Sequence, residues 1–182
     1  MRRCVSKNLF NFFTILDTST MIQQETAQCL RESITAILPV LRAISDAEAS
    51  LKPQPTKWSA KEIIGHLIDS ACNNHQKFIR TMAQPHLDFV GYQQDFWVQK
   101  QYYSSRPWEE LLTLWYSYNL HLAHIIEHTA QEVLSNTVSI ESVGPFRLDF
   151  IMPDYIEHLK HHLRQILPDS DMQSTFSNVY NA

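Results

Sequence analysis

The chain has 182 residues, of which 44% are hydrophobic and 19% are charged. Its formal net charge is −4 and its pI is near 6.1, so it lacks the basic excess expected of a nucleic-acid or anionic-lipid partner. Only three glycines argue against a β-rich fold full of tight turns, and the length suits one globular domain.

Residues 1–20 differ from the rest of the chain. Two arginines and a lysine precede a short apolar run from Leu9 to Leu16, which resembles a weak signal peptide. Polar residues interrupt this run, and no small-residue cleavage site follows it. We therefore predict a disordered extension over 1–20, or a true start at Met21. No stretch approaches the ~20 apolar residues of a membrane span, so no membrane partner is expected.

Four segments have the hydrophobic spacing of amphipathic helices. A capping box formed by Ser59 and Glu62 marks the start of the second. With no convincing strand pair between them, the four segments predict an all-α, antiparallel four-helix bundle over residues 21–168. The polar tail, 169–182, is expected to fray. The predicted helices cover 23–47, 59–83, 107–134, and a last segment that starts between 149 and 154 and ends at 167.

The connection between the second and third predicted helices, residues 84–106, is long and rich in aromatic residues. A loop of this length in a small domain often covers a pocket. The alternative is a structural cap over one end of the bundle, with a short helix around Asp95 to Gln101. Its aromatic residues are Phe89, Tyr92, Phe96, Trp97, Tyr102 and Tyr103.

Two histidine pairs have the spacing of metal ligands on a helix. His158 and His162 are four residues apart, one turn along the same side, so both can grip one divalent cation if a third ligand comes from elsewhere. The alternative is a helix with surface histidines. His124 and His128 form a competing pair, but with His121 they lie away from the apolar stripe and are predicted to face solvent.

Two further histidines lie in the second predicted helix. His66 sits off the centre of the apolar stripe, which predicts an exposed position or one at a cleft. His75 lies on the apolar side and is predicted to be a hydrogen-bonded core histidine. The three cysteines are scattered, without a CxxC motif or a disulfide pattern, which favours a reducing cytoplasm.

Three segments in this order resemble the DinB superfamily, four-helix proteins that include metal-dependent hydrolases of the YfiT type. They are WSAKEIIGHLID at 58–69, GYQQDFWV at 91–98 and YIEHLKHHLRQI at 155–166. The resemblance implies that His66, His158 and His162 bind one divalent metal ion, zinc or nickel, with iron or manganese as further options. Pro153 departs from the continuous start that the family's fourth helix usually has.

The resemblance also implies a metal-dependent enzyme acting on a small molecule. Some relatives transfer a low-molecular-weight thiol to an electrophile, and others are known only as hydrolases. A metal-binding or stress-related module without turnover is the alternative, and a helical interaction protein with incidental histidines is a third. Bundles of this kind commonly pair through helix faces, so a homodimer is expected. For the partners of the ligand N–H groups, Asp69, Asp95 and Glu157 are the candidates.

Overall fold

The computed structural model describes residues 18–180, and this part is mostly helical. It contains six α-helices and three short strands. The helices are α1 Thr18–Arg42, α2 Asp46–Ser50, α3 Ala60–Met82, α4 Gln94–Lys100, α5 Trp108–Glu127 and α6 Leu148–Ile166. The strands are β1 His86–Phe89, β2 Thr137–Ile140 and β3 Val143–Arg147. The extension predicted over 1–20 lies outside the described residues, except for its last three, which begin α1.

Four long helices, α1, α3, α5 and α6, correspond to the four predicted segments. α1 packs mainly against α5, and α3 packs against both α5 and α6. Apolar side chains from all four helices meet in one core, and each large one that is fully buried contributes roughly 1.5–3 kcal/mol. Among the fully buried are Leu30, Leu67, Phe78, Leu111, Trp115 and Leu159. None of the helices in the described region is long and apolar enough to cross a bilayer.

The predicted capping box is present at the start of α3. Ser59 Oγ accepts a hydrogen bond from the Glu62 backbone N–H at 3.3 Å, and Glu62 Oε2 accepts one from the Ser59 N–H at 2.8 Å. Two of the helix's free N–H groups are thereby satisfied, which fixes where α3 begins. The same pattern at Ser45 and Glu48, overlooked in the sequence, starts the short α2 after α1 has ended at Arg42.

The small sheet was not predicted. β2 pairs with β1 in parallel and with β3 in antiparallel orientation. Each strand has only four or five residues, too few for a hydrophobic period to be recognised. The third predicted helix, 107–134, is too long. α5 ends at Glu127, and a 3₁₀ turn then leads into β2.

The connection over 84–106 is divided into β1, α4 and a 3₁₀ turn at Tyr103–Ser105. α4 falls where the alternative interpretation placed a short helix. α6 begins at Leu148, just before the predicted range, and continues through Pro153 in its second turn. These segments bring residues from distant parts of the chain to the side of α3 and α6.

The tail after α6 has no regular structure up to residue 180, but its polar side chains contact α6. Ser174 Oγ donates a hydrogen bond to the Glu157 carbonyl at 2.9 Å, and the Thr175 N–H donates one to Glu157 Oε2 at 2.7 Å. Further on, the Tyr180 hydroxyl donates to the Asp154 carboxylate. The tail is therefore attached to α6 at several points, which its polar composition did not reveal.

Candidate metal centre

His66 lies in the second turn of α3 and is completely buried. Of the two positions that the helical wheel left open, the exposed one is wrong, because α3 is covered on several sides by α4, α5, α6 and the 3₁₀ turn. The ring lies instead in the cleft between α3 and α6. Gly65 makes the last of these contacts possible. A Cβ atom at Gly65 would lie 2.1 Å from Tyr103 Cδ2, so only glycine lets the 3₁₀ turn come this close.

The rings of His66, His158 and His162 meet between α3 and α6. His158 Nε2 lies 3.4 Å from His66 Nε2 and 3.1 Å from His162 Nε2. The ring centroids of the three residues are 4.5–5.2 Å apart. One ring nitrogen from each histidine lies within 4.8 Å of the others, which is the spacing of a group able to hold one metal ion.

Burial keeps these imidazoles neutral. It lowers the pKa of His66 to about 3 and that of His162 to about 4, and positive charge on a neighbouring histidine adds to the effect. The pKa of His158 is lowered well below its usual value, mainly by burial and then by His162 and His66. At neutral pH all three rings therefore carry a free nitrogen lone pair, the form that binds metal ions.

The donor set fits a divalent metal ion. The ring nitrogens of the three histidines converge on one place. They cannot all form hydrogen bonds with one another, because each N···N contact needs a hydrogen on one of its two nitrogens. A cation at that place would accept all three lone pairs, and neutral imidazole suits zinc, nickel and iron. The buried Nδ1 atoms of His66 and His162 have no hydrogen-bond partner among the described residues.

Ser70 contacts one of the three clustered histidines. Its Oγ lies 3.4 Å from His158 Nδ1, one helical turn beyond His66 on α3. The carboxylates considered from the sequence have other partners. Asp69 accepts from Tyr103 Oη at 2.7 Å and from Gln101 Nε2, and Glu157 accepts from Lys160 and the tail. Asp95 is exposed on α4.

Two aromatic residues that the sequence did not associate with the histidines lie against the cluster. The Trp58 ring centroid is 5.0 Å from that of His66 and 6.4 Å from that of His162. Phe176, in the tail, stands with its ring centroid 5.0 Å from that of His158. Trp58 directly precedes the capping box at the start of α3. Nothing in the local sequence indicated that residue 176 would reach α6.

A cavity of about 500 Å³ opens beside His158 and His162. Phe89 and Tyr92 from the aromatic connection form part of its wall, and so do Phe176 and Tyr180 from the tail. Polar groups line it as well, among them Ser70, Asn73, Asn74, Lys77 and Asp154. A cavity of this size, lined by aromatic side chains together with many polar and charged groups, has the volume of a small-molecule site.

The other histidines are arranged differently. His121, His124 and His128 are exposed on α5 or at its end, as predicted. His124, Glu127 and His128 form a second group of possible metal ligands, but Glu127 Oε2 already accepts a hydrogen bond from Arg31 at 2.6 Å. His75 is half-buried, with Nδ1 3.2 Å from Tyr118 Oη, which agrees with a structural role.

The sequence profile of the DinB superfamily matches residues 30–166, well over half of the chain. No curated protein matches the sequence significantly. Among solved structures, the fold is similar to that of YfiT from Bacillus subtilis, which is described as a probable metal-dependent hydrolase with an unusual four-helix bundle topology. The TM-score is 0.72 at 16% sequence identity, over 80% of this chain and 84% of the other.

Proposed function

The chain belongs to the DinB superfamily, and from this premise we propose that it is a metal-dependent enzyme whose divalent ion is held by His66, His158 and His162. The convergence of three neutral imidazoles, one fully buried and two half-buried, beside a cavity carries the proposal. Three protein ligands leave at least one position of the ion open, as in catalytic rather than structural sites. When bound, the ion supplies Lewis acidity and lowers the pKa of a water molecule or thiol to near neutrality.

The remaining residues position and shield the site. Ser70 holds the His158 ring through Nδ1, and Trp58 and Phe176 keep bulk water from two of the three rings. Phe89 and Tyr92 support a covering role for the aromatic connection, since both line the cavity. Exclusion of water strengthens the electrostatic interactions inside the site.

The substrate of this proposal is a small molecule, and the reaction is hydrolysis or transfer of a low-molecular-weight thiol. The description of YfiT favours hydrolysis. Zinc or nickel is the proposed metal, followed by iron and manganese, because histidine ligands select weakly among them and availability decides. We also propose that the four long helices are antiparallel and that the protein is cytoplasmic.

Metal analysis of untagged protein tests the site. We expect about one ion per chain in the wild type and little in His66→Ala, His158→Ala or His162→Ala. The matched variants His124→Ala and His128→Ala, which alter the exposed group on α5, should keep the ion. An unchanged metal content in His158→Ala, or its loss in His124→Ala, would mean that the wrong histidines were chosen.

Turnover separates an enzyme from a metal-binding or stress-related module. We would assay the metal-loaded protein with ester and amide substrates, and with several low-molecular-weight thiols and a fluorogenic electrophile. Activity that disappears in His162→Ala supports an enzyme. A protein that holds one ion per chain but is inactive towards both panels would be the non-catalytic module.

A further inference from the structure

Lys77 is a buried cation in the wall of the cavity. Its side chain extends from α3, and only 9% of the residue's surface is exposed. The Nζ atom lies 3.3 Å from Asn74 Oδ1, 5.5 Å from the ring centroid of Phe89 and 5.7 Å from that of Tyr180. These contacts hold the ammonium in place but use only one of its three N–H donors in a conventional hydrogen bond.

A second buried lysine in the same helix has a different environment. Lys61 is 3% exposed, and its Nζ lies 2.8 Å from Asp46 Oδ1, so its charge is paired. Within residues 18–180 no carboxylate lies within ion-pair distance of Lys77 Nζ. A buried ammonium without a paired anion is costly. The charge of Lys61 is paired within the fold. Lys77 is acted on by Asp154 across the cavity but from beyond ion-pair distance, so its ammonium remains free to bind an anion that comes from outside the chain.

We propose that Lys77 anchors the substrate and that the substrate carries a carboxylate group, which the ammonium binds while the reacting part faces His158 and His162. This inference rests on the proposed function, because it assumes that the cavity is the substrate site. Phe89, Tyr92 and Tyr180 would then surround the substrate's apolar part.

The charges around Lys77 favour a monoanion. Asp154 lines the same cavity and accepts a hydrogen bond from the Tyr180 hydroxyl, and Glu141 lies at the exposed rim. The single positive charge of Lys77 can compensate one negative charge on the ligand. The second negative charge of a phosphate would be repelled by the carboxylates of Asp154 and Glu141. Burial lowers the pKa of Lys77 to about 8, and Asp154 opposes this, so the side chain stays largely protonated at neutral pH.

The test compares three ligands of equal length: 3-phenylpropionate, 3-phenylpropan-1-ol and 3-phenylpropylamine. Dissociation constants are measured by NMR titration of metal-stripped protein, so that a carboxylate cannot bind through the metal. We expect the carboxylate to bind about tenfold more tightly than the alcohol, as one charge-assisted hydrogen bond allows, and the amine to bind most weakly. Lys77→Met should abolish this preference, while Lys61→Met, the matched control, should retain it.

Several outcomes would overturn the inference. Equal binding of carboxylate and alcohol would do so, as would a preference that survives in Lys77→Met. A preference seen only after zinc is restored would assign the carboxylate to the metal. Tighter binding of 2-phenylethylphosphonate than of 3-phenylpropionate would exclude the monoanion. Far-UV circular dichroism checks the fold, and Lys77→Gln replaces Lys77→Met if the latter does not fold.

Failure of this inference is distinct from failure of the proposed function. Metal content measured on the same samples reports on the histidines alone, and Lys77→Met should still hold about one ion per chain. Conversely, His66→Ala should lose the ion and keep the carboxylate preference, because His66 does not line the cavity.

Discussion

His66 Nε2 lies 3.4 Å from His158 Nε2, although 92 residues separate the two in the sequence. The contact exists only because α3 and α6 pack side by side. The site therefore forms at the contact between these two helices. Its geometry depends on where α3 begins and on how α3 packs.

Metal-free protein should lose stability as the pH falls below about 6.5. Burial lowers the pKa values of His66 and His162 in the folded state, so below 6.5 the unfolded chain binds more protons than the folded one. The free energy of unfolding should fall by up to about 1.4 kcal/mol per pH unit for each histidine, until the folded pKa near 3–4 is reached. Urea unfolding between pH 7 and pH 4.5 measures this slope.

The control for this slope is a pair of histidine substitutions. His162→Gln removes one buried titrating ring and should make the dependence on pH shallower. His124→Gln changes an exposed ring and should leave it as in the wild type. Equal slopes in both variants would show that the three clustered rings do not control acid stability.

Ser70→Ala should weaken metal binding by roughly tenfold, the lower end of the effect expected for a residue that orients a metal ligand. The Oγ atom of Ser70 is 3.4 Å from His158 Nδ1, and its loss frees the ring to rotate. Competition with a chromophoric zinc chelator gives the affinity. Ser33→Ala is the control, because Ser33 Oγ bonds only the Cys29 carbonyl of its own helix. Identical affinities in the two variants would remove Ser70 from the site.

Gly65→Ala should destabilise the protein by about 1–3 kcal/mol, the usual cost of overpacking. The added Cβ would lie 2.1 Å from the Tyr103 ring, whose hydroxyl is held by Asp69. Gly91→Ala is the matched control, since the nearest atoms there belong to the flexible end of the Glu141 side chain, at 3.0 Å. Thermal unfolding compares the two, and a Gly65→Ala protein as stable as Gly91→Ala would contradict the close packing.

The homodimer predicted from the sequence remains to be tested. Leu114, which is 42% exposed, and the exposed His121 and His124 lie on α5 and offer a face for a second copy. Light scattering at micromolar concentration should give about twice the 21.2 kDa chain mass. Leu114→Glu should then give the monomer, and a wild-type protein that is already monomeric would refute the prediction.

The parts that could be predicted from the sequence are those with a local signal. The Ser59 capping box places the start of α3, and the four-residue spacing of His158 and His162 places both on one side of α6. The third histidine was identified only through the resemblance, because periodicity did not indicate that His66 is buried. All residues from 63 to 71 of α3 are buried, so in this half of the helix a position off the apolar stripe is not an exposed one.

The parts that could not be predicted depend on contacts between distant segments. Phe176 reaches His158 and Tyr180 reaches Asp154 through a tail without periodicity or a cap. The strands are too short to give a pattern, and Lys77 looks like any helical lysine until its burial is seen. Such positions are determined by tertiary packing, which local propensity does not encode.

The attachment of the tail to α6 has a consequence for how this chain could diverge. The match to the superfamily profile ends at residue 166, and Phe176 and Tyr180, which form part of the cavity wall, lie beyond it. All three clustered histidines lie within the matched region, whereas part of the cavity wall comes from an appendage to α6 that lies outside it. Substitutions in that appendage can retune ligand preference without disturbing the bundle, so relatives with the same three histidines need not share a substrate.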